Sequence, residues 1–352
     1  MMHERVDKLG SQQEVIARMA ALVAQANVAA LRDELIALLL RPWSAAWLRV
    51  LDDARLLTQI IFELEPARNV EQPIVHFLPV LEHSLETVCA VDWLLRALDD
   101  ERMDLEPDDY LLPSHVSSAE RAVPVAVQRQ PGLRYRSAYA DVLRAHFAEQ
   151  LGAGYSRSAL FKLAALLHDI AKPQTKQPKV GGGVSFHGHQ TIGGMIAQDV
   201  ARRLGFGAAE ICYIGLIVRE HMRPGQLAIL DDLSLRAVQR FFRATGDAGP
   251  DVLLHALADH MATRGPQLNS AAWYAQAEWT DCLLDTIWGE QPELARPLLD
   301  GDALMRELGI AQGPLVGRML AMIGEAQAGG DITTREEALA LARRVLARTR
   351  KT

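Results

Sequence analysis

Leu163-Ala164-Ala165-Leu166-Leu167-His168-Asp169-Ile170-Ala171-Lys172-Pro173 is the stretch on which the reading of this chain turns. The apolar run can bury itself as a helix, but the carboxylate that ends it cannot be buried without a partner. Lys172 lies at spacings of four and three from His168 and Asp169, on the same helical face, so it could pair with Asp169 or reach an anionic ligand as a point charge. The helix must stop near Pro173, because the residue before a proline is driven out of the helical region.

Working outward, His83 stands upstream, and His187, His189, His221 and Asp259 stand downstream. A lone histidine on an apolar helix is ordinarily a core or boundary residue. Asp259 ends a second apolar run, Val252-Leu253-Leu254-His255-Ala256-Leu257-Ala258, and has the same burial problem as Asp169. Neutral imidazoles and carboxylates are ligands for divalent cations, and one carboxylate can serve two ions through its two oxygens. The expected set is His83, His168, Asp169 and Asp259 around a first ion, with His189 and His221 adding a second and Asp169 between them. Such a centre suits phosphate ester cleavage: a bound ion lowers the pKa of water to about 7, and a pair about 3.5–4 Å apart stabilises attacking and leaving oxygens. His187 and His189 flank Gly188, and alternate residues of an extended segment face opposite ways. His189 is therefore expected as the ligand, with His187 as a substrate or outer contact. Lys172 and Arg223 are expected to stabilise charge on the phosphoryl oxygens, although a surface role is the plainer reading of Arg223. His255 reads equally as an outer partner of the ligands or as a buried structural residue; His3, His76, His115, His146 and His260 receive no role.

The chain has 352 residues, 49% hydrophobic and 23% charged, with a formal net charge of -7. That length supports a large core. The acidic balance argues against broad, non-specific nucleic-acid binding but leaves room for a local basic groove. No apolar stretch reaches the roughly 20 residues that span a bilayer, and the first residues lack the pattern of a secretory signal. Cys89, Cys212 and Cys282 are isolated in apolar surroundings and read as buried thiols of a reducing compartment, so the cytoplasm is the expected location.

Helical periodicity runs through nearly every segment, and β-branched alternation is scarce, so the fold class is all-α. Residues 12–40 read as one long or two shorter amphipathic helices, and 44–64 as a further helical unit. The proline-bounded stretch 65–73 reads as a linker, and a helix over 79–98 carries His83. The acid-, proline- and serine-rich stretch near 99–136 reads as an irregular excursion. Gly181–Gly188 is a glycine-rich loop delivering His187 and His189, followed by helices over 191–204 and 208–222. Ser234 caps another, Pro250 opens the helix of Asp259, and Thr334 with Glu337 forms a capping box for the last helix.

The blocks Leu166-Leu167-His168-Asp169-Ile170-Ala171-Lys172-Pro173 and Phe186-His187-Gly188-His189 resemble those of HD-domain metal-dependent phosphohydrolases. Glu82-His83-Ser84-Leu85-Glu86-Thr87-Val88, Arg219-Glu220-His221-Met222-Arg223-Pro224 and the tail from Leu299-Asp300-Gly301-Asp302 to Thr333-Thr334-Arg335-Glu336-Glu337-Ala338 are similar to the HD-containing part of tRNA nucleotidyltransferases and related poly(A) polymerases. The resemblance implies a helical HD core over 67–265, preceded by a helical neck over 1–66 and followed by a helical tail over 266–352. It also implies one or two divalent ions (Mg, Mn, Fe, Zn, Ni or Co), a nucleotide or RNA-end phosphoester as substrate, and tRNA as a further ligand. Those polymerases carry a Gly-Ser and Asp-x-Asp nucleotidyltransferase head. Here Gly10-Ser11 is followed by Gln12-Gln13, and the one comparable pair, Asp300 and Asp302, lies in the tail motif, so CCA addition by this chain alone is not expected.

The leading expectation is thus a metal-dependent phosphohydrolase. A tRNA-binding module, or partner of a separate nucleotidyltransferase with a non-catalytic centre, is the alternative; a diiron oxygenase is a third option. Gly183 and Gly188 have Walker-A spacing, but His189-Gln190 replaces the Lys and Ser/Thr, which removes a P-loop. Neither a zincin helix nor a nucleophile elbow occurs.

Overall fold

In a computed structural model, the described residues are 12–99, 123–179, 181–229, 233–289, 297–328 and 331–349. The helices are α1 (Gln12–Ala24), α2 (Val28–Leu39), α3 (Ser44–Asp53), α4 (Leu57–Ile60), α5 (Val80–Asp99), α6 (Val125–Arg129), α7 (Ala140–Ala148), α8 (Arg157–Leu167), α9 (Lys172–Thr175), α10 (His189–Arg203), α11 (Ala208–Glu220), α12 (Arg223–Ala228), α13 (Leu235–Thr245), α14 (Gly249–Arg264), α15 (Ser270–Trp288), α16 (Gly301–Leu308), α17 (Pro314–Ala328) and α18 (Arg335–Thr349). Extended structure among the described residues is confined to two antiparallel hairpins: β1 (Gln150–Leu151) with β2 (Tyr155–Ser156), and β3 (Gln177–Pro178) with β4 (Val184–Ser185). The fold is all-α.

Several boundaries follow local chemistry. Residues 12–40 form two helices, broken where Ala26 takes a positive φ and the Asn27 side chain accepts from Ala30 N at the start of α2. The stretch read as a linker is partly ordered: Phe62–Ala67 is a 3-10 helix, and Arg68 beside it donates to both oxygens of Asp52 and to Glu65. The core of the expected excursion, 100–122, lies outside the described residues, while 123–136 contain α6. The glycine-rich loop is the turn and second strand of the β3–β4 hairpin. Of the cysteines, Cys89 is buried as expected, but Cys212 and Cys282 are exposed, each on the outward side of a helix whose opposite side is packed.

Two compact units emerge: Met1–Gly225 with Asp247–Asp281, and Gln226–Gly246 with Cys282–Thr352. The three segments expected from sequence divide the chain differently, because α2 and α3 of the neck-like region pack on α8 and α5 within the first unit.

In the first unit α5 is buried nearly all round, through Leu81, Leu85, Val88, Ala90, Val91, Trp93 and Leu94, as expected for a helix at the middle of a core. It packs against α14, α8 and α3, and α8 packs in turn against α11. His83 therefore rides on α5, His168 follows α8, Asp259 rides on α14 and His221 follows α11. Buried polar groups fix how these helices meet. Asp92 on α5 accepts from Ser44 Oγ at 2.8 Å and Ala45 N at 2.9 Å, capping the start of α3 from another helix, and pairs with Lys162 Nζ on α8 at 2.8 Å. Lys162 also donates to the carbonyls of Leu39 and Arg41. Elsewhere Asp251 is wholly buried between His146 Nε2 at 2.6 Å, Arg157 and the Tyr213 hydroxyl. His146, given no role from sequence, belongs to this network.

The second unit has its own core of Leu299, Leu304, Val316, Met319, Ile323, Ile332, Ala338 and Ala342. Its caps are those read from sequence: Ser234 Oγ accepts from Ala237 N, and Thr334 and Glu337 exchange hydrogen bonds at the start of α18. Asp300 accepts from Ala303 N at 2.6 Å, so the Asp300 carboxylate is a helix cap. No helix among the described residues is long and apolar enough to cross a membrane.

Candidate metal centre

His168 and His221 are each the first residue after a helix, and His189 is the first residue of one. Each ring is braced in the same way: Nδ1 lies 2.8 Å from Ala165 O in His168, 2.7 Å from Phe186 O in His189 and 2.7 Å from Val218 O in His221. A carbonyl can only accept, so Nδ1 carries the proton and Nε2 keeps its lone pair. Gly188, at φ 80°, makes the left-handed turn that brings His189 into line at the start of α10, a conformation disfavoured for residues with a Cβ.

The Nε2 atoms converge on one carboxylate. Asp169 Oδ2 is 3.1 Å from His168 Nε2 and 3.5 Å from His83 Nε2, and Oδ1 is 3.3 Å from His189 Nε2 and 3.9 Å from His221 Nε2. His83 and His168 are 3.3 Å apart at Nε2, as are His189 and His221 at 3.2 Å. Two overlapping groups result, His83–His168–Asp169 and Asp169–His189–His221, all buried and each able to hold an ion. Asp259 closes the first group from α14, with Oδ1 3.0 Å from His83 Nε2 and 3.8 Å from His168 Nε2. The structure thus brings together all six residues singled out from sequence.

The electrostatics fit a cation. Both oxygens of Asp169 are buried without a well-formed hydrogen bond. Burial works to raise the Asp169 carboxyl, but His168 and Lys172 outweigh it and hold the group well below the usual range. Asp259 is likewise held low, burial being outweighed by the hydrogen bond and charge of His83. Burial works to lower His168, and Asp169 reverses this and raises it. His221 is pushed down to about 3, first by burial and then by His168, and stays neutral. Two carboxylates held low among four imidazoles, with no sulfur ligand, form a nitrogen–oxygen set suited to first-row divalent metals.

Of the other sequence candidates, Lys172 touches the centre and Arg223 and His187 do not. Lys172 is buried, with Nζ 2.5 Å from Asp169 Oδ2, 2.6 Å from Gln72 Oε1 and 5.5 Å from the centre of the Phe186 ring. Arg223 is partly exposed and pairs with Glu220 at 2.9 Å. His187 is exposed and makes no contact with the cluster among the described residues. Sequence reasoning passed over Gln72 and His76. His76 meets the His83 ring edge-on at 5.2 Å. His255, one turn before Asp259, is fully buried with its ring 4.9 Å from that of His168 and 5.7 Å from that of His221, and neither of its nitrogens has a partner. A period of four from Asp259 was the one sequence signal for it.

Helices α10 and α11, which set His189 and His221, pack closely at glycines. A Cβ on Gly194 would lie 3.0 Å from Gly215 O and 3.1 Å from Arg219 Cβ. Gly194→Val is expected to push the two helices apart, costing about 1–3 kcal/mol in a denaturant melt and weakening one of two metal equivalents in titration calorimetry. Unchanged stability and stoichiometry would contradict this account of the packing.

A model of the HD domain family matches residues 143–264. Over 355 residues the chain is 30% identical to the A-adding tRNA nucleotidyltransferase of Deinococcus radiodurans, an alignment covering 96% of this chain and 74% of that protein. It is 30% identical over 313 residues to the CC-adding tRNA nucleotidyltransferase of Thermus thermophilus, covering 88% of this chain and 55% of that protein. Across 128 residues it is 37% identical to the bifunctional uridylyltransferase/uridylyl-removing enzyme of Streptomyces coelicolor, covering 34% of this chain and 13% of that protein.

Proposed function

The chain belongs to the tRNA nucleotidyltransferase family with an HD domain, and from that membership and its metal centre we propose that it is a metal-dependent phosphohydrolase acting on a phosphoester of a nucleotide or an RNA end. The observation that carries this reading is the Asp169 carboxylate, which faces His83 and His168 with one oxygen and His189 and His221 with the other. Likeness over 128 residues to a protein named as uridylyl-removing supports the cleavage direction of this reading.

His83, His168, Asp169 and Asp259 would hold one divalent ion, and Asp169, His189 and His221 a second. Bound there, divalent ions supply an activated water and neutralise charge on a phosphoryl group. The chain's own residues do the rest. The Nδ1 braces of His168, His189 and His221 keep these three rings aimed with Nε2 toward the centre. Lys172 brings a fixed positive charge to the edge of the centre, where it would stabilise the non-bridging oxygens of the ester. Arg223 and His187, flanking the ligands His221 and His189 in sequence, are proposed as outer contacts to the substrate's phosphate and leaving group. The proposed location is the cytoplasm.

The test is protein purified without chelators, analysed for metal content and assayed on bis(p-nitrophenyl) phosphate, 2',3'-cyclic nucleotides and nucleotide 2'-phosphates. Turnover that a chelator abolishes and added divalent metal restores is the expected result. Metal-loaded protein inert on the whole panel, but binding tRNA with a steep salt dependence, would replace this reading with the RNA-binding one.

A further inference from the structure

We infer that Gln72 is a positioning residue for the metal centre: it holds the Lys172 ammonium in place when Asp169 gives its oxygens to metal. This inference rests on the metal centre assigned above, and not on the identity of the substrate.

Lys172 is buried, and a buried cation without partners is costly. Its Nζ has two oxygen partners, Asp169 Oδ2 at 2.5 Å and Gln72 Oε1 at 2.6 Å, together with the face of the Phe186 ring. The Gln72 amide is itself fixed, because its Nε2 donates to Leu78 O at 3.1 Å. That bond sets which end of the amide faces Lys172: the oxygen, an acceptor that an ammonium needs. Gln72 lies in the segment leading into α5, the helix that carries His83, so the berth for Lys172 is built beside a ligand.

Lys172 and a divalent ion compete for Asp169 Oδ2. An ion held by His83, His168 and Asp169 would weaken the Lys172–Asp169 contact and bring a like charge near the ammonium. With Gln72 present, the displaced ammonium keeps a strong acceptor. Without it, the ammonium either stays on Asp169 and opposes the metal or is left without an oxygen partner in a buried site. Gln72 therefore acts on metal affinity through Lys172 alone.

The experiment is a double-mutant cycle on full-length protein, read as Mn2+ or Zn2+ affinity by calorimetry. Gln72→Leu is expected to weaken binding by about 10-fold or more, the usual range for outer partners of metal ligands. Lys172→Met, which removes the competitor, is expected to bind metal at least as tightly as wild type. In the Lys172→Met background, Gln72→Leu should then have no effect, and Gln72→Glu, which keeps an acceptor toward Lys172, should retain affinity in the wild-type background. A loss of the same size in both backgrounds would overturn the inference, since it would mean that Gln72 acts through loop structure. Wild-type protein that binds no divalent metal would instead overturn the metal centre itself, a separate outcome.

Discussion

Asp169→Ala is expected to strip the protein of both metal equivalents and to lower phosphodiester turnover by at least the about 10²–10³-fold that loss of one preorganised charge-stabilising group costs. Its two oxygens divide between the two histidine pairs: Oδ2 looks to His83 and His168, Oδ1 to His189 and His221. Removing one imidazole should leave one group of ligands intact, whereas removing this carboxylate breaks both. The fold should survive. Asp169 follows α8 instead of lying within it, and Lys172, which would lose its ion pair, keeps Gln72 Oε1 as an acceptor. Asp169→Asn, which keeps the volume and loses the charge, separates chemistry from packing and should fail nearly as completely. Elemental analysis, turnover of an aryl phosphodiester and far-UV circular dichroism read the three effects. A variant that keeps its metal content and its rate would remove the basis of the proposed function.

The largest effect on stability is expected at Asp92, in a group with no role in the chemistry. Asp92→Ala should destabilise the first unit by about 3–5 kcal/mol, the usual cost of leaving a buried charge without its partner. Burial raises the Asp92 carboxyl despite Lys162, which shows how much of its environment works against the charge. The neighbours left behind explain the size of the loss. Lys162 Nζ would keep the carbonyls of Leu39 and Arg41 but no counter-charge, and the start of α3 would lose acceptors for Ser44 Oγ and Ala45 N. Asp92→Leu combined with Lys162→Met should cost less than the single change, because no unpaired ion remains. The midpoint of guanidinium unfolding, followed by tryptophan fluorescence of the first unit, reports both. A single variant within 1 kcal/mol of wild type would show that the pair is dispensable.

Much of the candidate site was legible because its residues break local rules. Asp169 and Asp259 each end an apolar run, where an unpartnered carboxylate is costly, and that conflict is visible one residue at a time. The caps at Ser234 and Thr334–Glu337 were legible for the same reason, since their donors and acceptors lie within four residues. What depends on distant pairing was not. Gln72 meets Lys172 across a separation of 100 residues, and His146 meets Asp251 across 105. Helical periodicity tells which side of a helix is buried, not which polar group waits on the facing helix. The same limit explains Cys212 and Cys282, whose positions face outward on their helices. It also explains His187, which shares its motif with His189 and yet is exposed.

The carbonyl braces behind His168, His189 and His221 have a bearing on how the centre is filled. Zinc fingers gain their shape from the ion, but here each imidazole is locked by a peptide group three residues earlier in its own segment. The aim of these three rings is thus set by the chain itself. Exchange of one divalent ion for another would then ask for no refolding of these segments, and the element such a centre would hold would follow from supply as much as from shape.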